Sequence, residues 1–416
     1  MILIQVQVLC QNVERYAKSP KFRQSNSLGR AKSVLFSQHR HPELTLAEKI
    51  WQLNWSLVLL ITSTASIGFV MLYSAANGNI EPWAYQQMIR FAIGLVVMLL
   101  IAVSSIHFWL RYAYVIYLAC LGLLILVEFF GATGMGAKRW IDLGFMSLQP
   151  SELMKIVIIL ALARYFYASR MEDVERLSYL IFPVILLAAP TTLILFQPDL
   201  GTAILLGASG IAVFFLAAVR MWIFITGAIA GIASIVPIWK FVLLDYQKAR
   251  VLIYLRPERD PLGAGYHVMQ SKIALGSGGL SGKGFLAGSQ SHISFLPEKH
   301  TDFIFTMLAE EFGLIGGLVL LSLYFLIMIY GFAISLRCRH HFGRLVGMGI
   351  TMVFFLNFFV NIAMVMGLLP VVGMPLPLVS YGGTSLLTNM IGFGLILCIF
   401  INRDVTLRPG AADRYS

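Results

Sequence analysis

The sequence predicts an all-α membrane protein of about ten transmembrane helices. Of its 416 residues, 58% are hydrophobic and 12% charged, whereas soluble domains carry about 25% charged residues. Several apolar runs reach 18 residues or more, the length a ~30 Å hydrocarbon core demands. Lys and Arg also fall in alternate connections between those runs, as the positive-inside rule requires of a multi-pass chain.

Residues 1–50 hold eight Lys/Arg against three Glu. No run there is long enough to span and no secretory signal is visible, so the segment reads as a basic, disordered cytoplasmic tail. The membrane domain covers 51–402. Its apolar segments are Trp55–Tyr73, Met88–Ser105, Tyr112–Phe130, Leu153–Tyr167, Tyr179–Phe196, Thr202–Ala218, Met221–Leu244, Phe312–Ser335, Val346–Leu369 and Ser385–Ile401. A short cytoplasmic tail, 403–416, follows.

With the N-terminus inside, the connections bearing Arg111, Arg170 and Arg176, Arg220, then Arg337, Arg339 and Arg344 are cytoplasmic too, as is the tail with Arg403 and Arg408. On the other side, Ala75–Gln87 and Pro370–Gly383 contain no Lys or Arg. The long connection 245–302, between the seventh and eighth helices, faces outward although it holds seven Lys/Arg against five Asp/Glu. Long loops cross regardless of charge, and a basic outer loop points to an anionic ligand. The net charge of +11 is thus a matter of membrane orientation, and nucleic acid is not an expected partner. Four cysteines at positions 10, 120, 338 and 398 form neither a disulfide framework nor a metal motif.

Polar motifs crowd the outer ends of the helices. "GAKRWIDLGFMSLQPSELMK" places Lys138, Arg139, Trp140 and Asp142 outside and opens the fourth span. Glu152 and Lys155, three apart, share a helix face; they form either a self-satisfied ion pair or the wall of a polar cavity. In "FQPDLGTA", Asp199 either caps the next helix or adds an oxygen to the same cavity. "LLPVVGMPLPLVSYGGTS" cannot be crossed by a continuous helix, so it is a plain loop or an irregular segment buried against protein.

The glycines of "SKIALGSGGLSGKG" do not match a phosphate-binding P-loop, because Ser277 stands where the first glycine is needed and Gly284 follows the lysine. They provide either flexibility or backbone nests for phosphate oxygens. Finally, "LPEKHTDFIFTMLAEE" sets Lys299, His300 and Asp302 before a segment too long to cross in one straight helix. Asp302 either caps that helix or offers a carboxylate for proton transfer at the wet mouth of the bundle.

These motifs, "AKRWIDLGFMSLQPSELMKI", "QPDLGTA", "DPLGAGYHVMQSKIALGSGGLSGKG", "LPEKHTDFIF" and "PLPLVSYGG", together resemble the SEDS polymerases (shape, elongation, division and sporulation) from about Trp55 to Ile401. "GAGYH", "SKIALGSGG" and "LPVVGMPLP" are closer to the elongation branch than to the division branch. The resemblance implies a peptidoglycan glycosyltransferase of the bacterial inner membrane that polymerises lipid II. The implied partners are a class B penicillin-binding protein and other elongation-complex proteins, with both termini cytoplasmic and the site facing the periplasm. It implies Asp302 as the catalytic carboxylate and Glu152 and Lys155 as cavity lining. The substrate-binding set drawn from the motifs is Arg139, Trp140, Gln149, Glu152, Lys155, Asp199, Lys299, His300 and Ser380.

Because a lipid diphosphate is a good leaving group, one base and stabilising cations suffice for transfer. Asp302 suits the first task, and Lys155, Arg139, Lys299 or a divalent cation, Mg or Mn, the second. Direct displacement with inversion follows, as does an apolar groove that lets the polyprenyl chain reach Asp302 sideways. Two other readings stay open: a lipid II flippase, which would need a midplane site reachable from both sides, and an assembly scaffold without chemistry.

Overall fold

A computed structural model describes residues 45–134, 137–142, 144, 147–169, 176–242, 245–255, 264–288, 300–405 and 407. The chain divides into two units, Met1–Glu48 and Lys49–Ser416. Of the first, residues 45–48 are described. The Thr45 amide donates to Glu48 Oε2 at 2.8 Å and the Glu48 amide to Thr45 Oγ1 at 3.4 Å, a reciprocal capping box that opens α1 (Leu46–Trp51). The expected tail otherwise lies outside the described residues.

Each of the ten apolar segments coincides with a helix: α2 (Trp55–Ala75), α3 (Trp83–Val103), α4 (Ile106–Phe130), α5 (Pro150–Ala168), α6 (Leu177–Phe196), α7 (Leu200–Leu216), α8 (Met221–Pro237), α11 (Ile304–Arg337), α12 (His341–Val365) and α13 (Gly383–Ile401). Among the described residues, eight helices are long and apolar enough to cross a membrane. α7, at 17 residues, and α5, which carries Glu152, Lys155 and Arg164, complete the ten. The core is α5, α12 and α13. α5 packs on α4, α6, α7, α12 and α13, and the most extensive interface joins α13 to α3. Outward-facing apolar side chains such as Leu59, Leu100, Leu118 and Ile329 remain exposed, and α8 buries none of its residues. This is the surface expected where lipid is the solvent.

α6 shows how such a helix tolerates proline. Pro183 and Pro190 lie inside it, and each removes the amide that would bond the carbonyl four residues earlier. Tyr165 donates its hydroxyl to the Tyr179 carbonyl at 2.6 Å, and Tyr117 donates to the Leu186 carbonyl at 2.8 Å. Both stranded acceptors are therefore satisfied from neighbouring helices.

The long connection is not a plain loop. It contains two helices, α9 (Asp245–Leu255) and α10 (Ala264–Ser277); α10 packs on α11, where the Ser271 and Thr306 hydroxyls meet at 2.8 Å, and the Ser271 hydroxyl donates to the Val365 carbonyl of α12 at 2.9 Å. The connection before α5 is a small antiparallel sheet of β1 (Ala132–Gly134), β2 (Ala137–Asp142) and β3 (Ser147–Leu148), in the order β1-β2-β3, with Ala132 opposite Trp140 and Asp142 opposite Ser147.

α11 breaks as its length requires. Gly313 leaves the helical region at φ 66°, ψ −160°, so the bonds from amides 314 and 315 to carbonyls 310 and 311 are lost. The glycine-rich turn after α10 replaces all four halves. Leu314 and Ile315 donate to the Gly279 and Leu280 carbonyls at 2.9 and 3.2 Å, while Lys283 and Gly284 donate to the Glu310 and Glu311 carbonyls at 3.0 Å each. Close approach explains the glycines: a Cβ on Gly282, itself at φ 80°, would fall 2.0 Å from the Glu311 oxygen. These glycines thus brace a broken helix, and the amides of Gly278, Gly282, Lys283 and Gly284 are spent on protein carbonyls.

The proline- and glycine-rich segment between α12 and α13 is irregular, and its second half is buried, with Leu376, Leu378, Val379 and Ser380 each 3% exposed or less. Its backbone finds partners in the bundle. Fully buried Tyr324 donates to the Pro377 carbonyl at 2.7 Å, and Gln87 Nε2 to the Ser380 carbonyl at 3.0 Å.

Candidate active site

Asp302 sits on a short non-helical step that leads into α11. The N-cap of α11 is Phe303, with no side-chain cap bond, so Asp302 lies one residue outside the cap position. The three carbonyls of the step are all engaged. The Tyr381 amide donates to His300 O at 2.9 Å, Ser380 Oγ donates to Thr301 O, and Asn361 Nδ2 donates to Asp302 O at 3.0 Å. Buried polar backbone demands such partners, and here they fix the step in place. The Asp302 carboxylate lies against Gly373, where a Cβ would come 3.5 Å from Oδ2. Asp302 is partly exposed, while Glu152, Asp199, Glu310 and Glu311 are all buried.

An aromatic group borders the step. His300 stacks on Trp83 with centroids 4.4 Å apart and planes 8° apart, and Tyr381 stands 5.9 Å from the same imidazole. The Tyr381 hydroxyl donates to Gln86 Oε1, and the Arg90 guanidinium lies 4.7 Å over its ring. Sequence reasoning missed Trp83, Arg90, Tyr381 and Asn361. Arg90 had a signal, because it is the single charge in the apolar run 88–105.

The remaining residues form two committed clusters. Asp199 caps α7: its Oδ1 accepts the Thr202 amide at 3.3 Å, and its Oδ2 accepts Thr202 Oγ1 at 2.9 Å and Gln149 Nε2 at 3.3 Å. Arg139, on β2, donates to the Gln197 carbonyl at 3.2 Å and to the Pro198 carbonyl, with Nη1 4.0 Å from Asp199. Trp140 is partly buried on the same strand. Glu152 and Lys155 are 7% and 2% exposed, and Lys155 Nζ donates to Glu152 Oε1 at 2.8 Å and Asn357 Oδ1 at 3.1 Å. Asn357 and Asn361 are one turn apart on α12, so one helix face holds both Lys155 and the Asp302 carbonyl. Ser380 spends its hydroxyl on the backbone, donating to Thr301 O and accepting the Leu376 amide at 2.8 Å. Lys299 lies outside the described residues.

Among the described residues no three His, Cys, Asp or Glu side chains gather as a metal centre. A groove of about 410 Å³ opens between Trp55–Leu60 of α2 and Leu326–Tyr330 of α11, far along α11 from Asp302.

Comparison with known proteins agrees with this architecture. The profile of the FtsW/RodA/SpoVE cell cycle proteins matches residues 54–404. The chain is 44% identical over 354 residues to the peptidoglycan glycosyltransferase MrdB of Escherichia coli K12, covering 85% of this chain and 95% of that one. It is 36% identical over 357 residues to the probable peptidoglycan glycosyltransferase FtsW of Trichlorobacter lovleyi, covering 82% and 92%. A solved peptidoglycan synthase complex, described as coordinating polymerization and crosslinking, superposes at TM-score 0.75 with 33% identity over 85% of this chain and 99% of that one. The protein is an integral membrane protein, and its chain belongs to the SEDS family of FtsW/RodA/SpoVE cell cycle proteins.

Proposed function

We propose that this protein is a peptidoglycan glycosyltransferase of the elongation type, which joins lipid II units into glycan strands with Asp302 as general base. The greater identity to MrdB, 44% against 36% to the FtsW relative, favours the elongation branch. The observation that carries the mechanism is the difference in exposure among the acids: Glu152 and Asp199 are buried, while Asp302 is partly exposed on a step whose carbonyls are all held.

In the proposed step the acceptor 4-hydroxyl oxygen attacks the donor anomeric carbon as its proton passes to Asp302. The bond from that carbon to the lipid diphosphate breaks, and the electron pair leaves with the diphosphate. One displacement inverts the anomeric centre and needs no covalent enzyme intermediate. Held geometry serves this chemistry because general-base catalysis needs the carboxylate within hydrogen-bond reach of the hydroxyl. A divalent cation, Mg or Mn, would enter as a companion of the diphosphate and would help to stabilise its departing charge.

The site end of the bundle faces the periplasm and both termini face the cytoplasm, a placement supported by the Lys/Arg distribution. The polyprenyl chain enters sideways from the outer leaflet of the inner membrane. The partner is a class B penicillin-binding protein within the elongation machinery, supported by the likeness to a complex that couples polymerization and crosslinking. The test is glycan synthesis from lipid II by the purified protein, alone and with that partner. Trapping a glycosyl ester on Asp302 would overturn the single displacement, and absence of polymer in both conditions would overturn the activity.

A further inference from the structure

The reaction proposed above needs positive charge where the diphosphate departs, and most described cations near the site are already spent. Lys155 is buried on Glu152 and Asn357, Arg139 holds the turn before α7, and Lys283 lies 2.8 Å from Glu310. Arg90 differs. It sits seven residues into α3, roughly 10 Å below Trp83 along the axis, in a run otherwise fit for lipid. A charge at such depth faces a bundle interior or a polar cavity and marks a functional site by default.

The Arg90 guanidinium rests 4.7 Å over the Tyr381 ring, and its side chain packs against Gly383, where a Cβ would come within 3.3 Å. Among the described residues no carboxylate pairs with it. Tyr381 is in turn bonded through its amide to His300, two residues before Asp302. A guanidinium seated on an aromatic face keeps its in-plane N–H groups available, and that planar fork matches phosphate oxygens.

We infer that Arg90, seated on Tyr381, is the phosphate-binding cation of the donor subsite and takes the diphosphate of the polyprenyl-linked sugar. This rests on the glycosyltransferase reading. The same chemistry would also suit the phosphate of an ordinary phospholipid headgroup, so the test separates the two sources.

Binding is measured on the full-length protein in phosphatidylcholine nanodiscs, with undecaprenyl diphosphate and uncharged undecaprenol as probes. The readout is the preference for the diphosphate over the alcohol, a ratio that a partial loss of fold does not mimic. Arg90→Gln is expected to lower that preference about 10- to 100-fold, the worth of one charge-assisted hydrogen bond. Arg90→Lys should restore part of it, and Tyr381→Ala should lower it. An unaltered preference in Arg90→Gln would overturn the inference. Displacement of the probe by phosphatidylglycerol at equal concentration would overturn it too, because Arg90 would then be a headgroup anchor. If Arg90 governs the preference but the wild type makes no polymer, the glycosyltransferase reading fails and the phosphate site stands. If polymer forms and the preference ignores Arg90, the inference alone fails.

Discussion

Lys283 Nζ and Glu310 Oε1 meet at 2.8 Å across the break in α11, with the Glu310 side chain fully buried and that of Lys283 28% exposed. The pair closes the brace that replaces two lost helical bonds at Gly313, and the brace holds the turn of α11 that follows Asp302. Lys283→Met leaves a buried carboxylate without this partner and should cost about 2 to 3 kcal/mol, less than a fully buried pair because Lys283 is partly exposed. Lys283→Met with Glu310→Met should cost less than Lys283→Met alone. Gly313→Ala places a Cβ at positive φ and 2.4 Å from the Gly282 nitrogen, so about 2 to 4 kcal/mol is expected. Unfolding in detergent measures all three, and equal stabilities would remove the brace from the account.

Glu152 and Lys155 form a second buried pair, and its loss should show the same asymmetry more strongly. Lys155→Met should destabilise by about 3 to 5 kcal/mol because Glu152 is left charged and buried. Adding Glu152→Gln should recover most of that loss. A double variant no more stable than Lys155→Met would mean that the buried Glu152 carboxylate does not depend on the Lys155 ammonium.

The tyrosine that serves the proline-freed carbonyl gives a cleaner coupling. Tyr117→Phe should cost about 1 to 2 kcal/mol, since the Leu186 oxygen loses its donor. In a Pro190→Ala background the helix regains its own amide at position 190, and the same change should cost little. The double-mutant cycle should therefore show about 1 kcal/mol of coupling, and additive effects would contradict the assignment.

The ten helices were legible because lipid imposes a length and an apolarity on any span, and segments such as 179–196 and 385–401 match their helices within two residues at each end. The small sheet and the helices α9 and α10 were not, because short strands and polar helices give no such signal. The glycine brace was hidden for a different reason. Gly282 is explained only by Glu311, and nothing local says that these two backbones touch. Asn357 and Asn361 were visible as polar positions one turn apart on an apolar helix, but their partners lie 202 and 59 residues away. For Asp199 the sequence left cap and cavity open, and the geometry shows the cap. For Asp302 it placed the residue before a long helix that had to break, without revealing the three donors that hold the step.

The central claim is that the Asp302 carboxylate takes the proton from the acceptor hydroxyl. The most direct measurement is the rate of lipid II polymerisation by purified wild type and Asp302→Asn at equal folded concentration. A loss of about 10² to 10⁴-fold, with unfolding behaviour unchanged, is the predicted result. A rate within a few-fold of wild type in Asp302→Asn would contradict the account and move the chemistry to another residue.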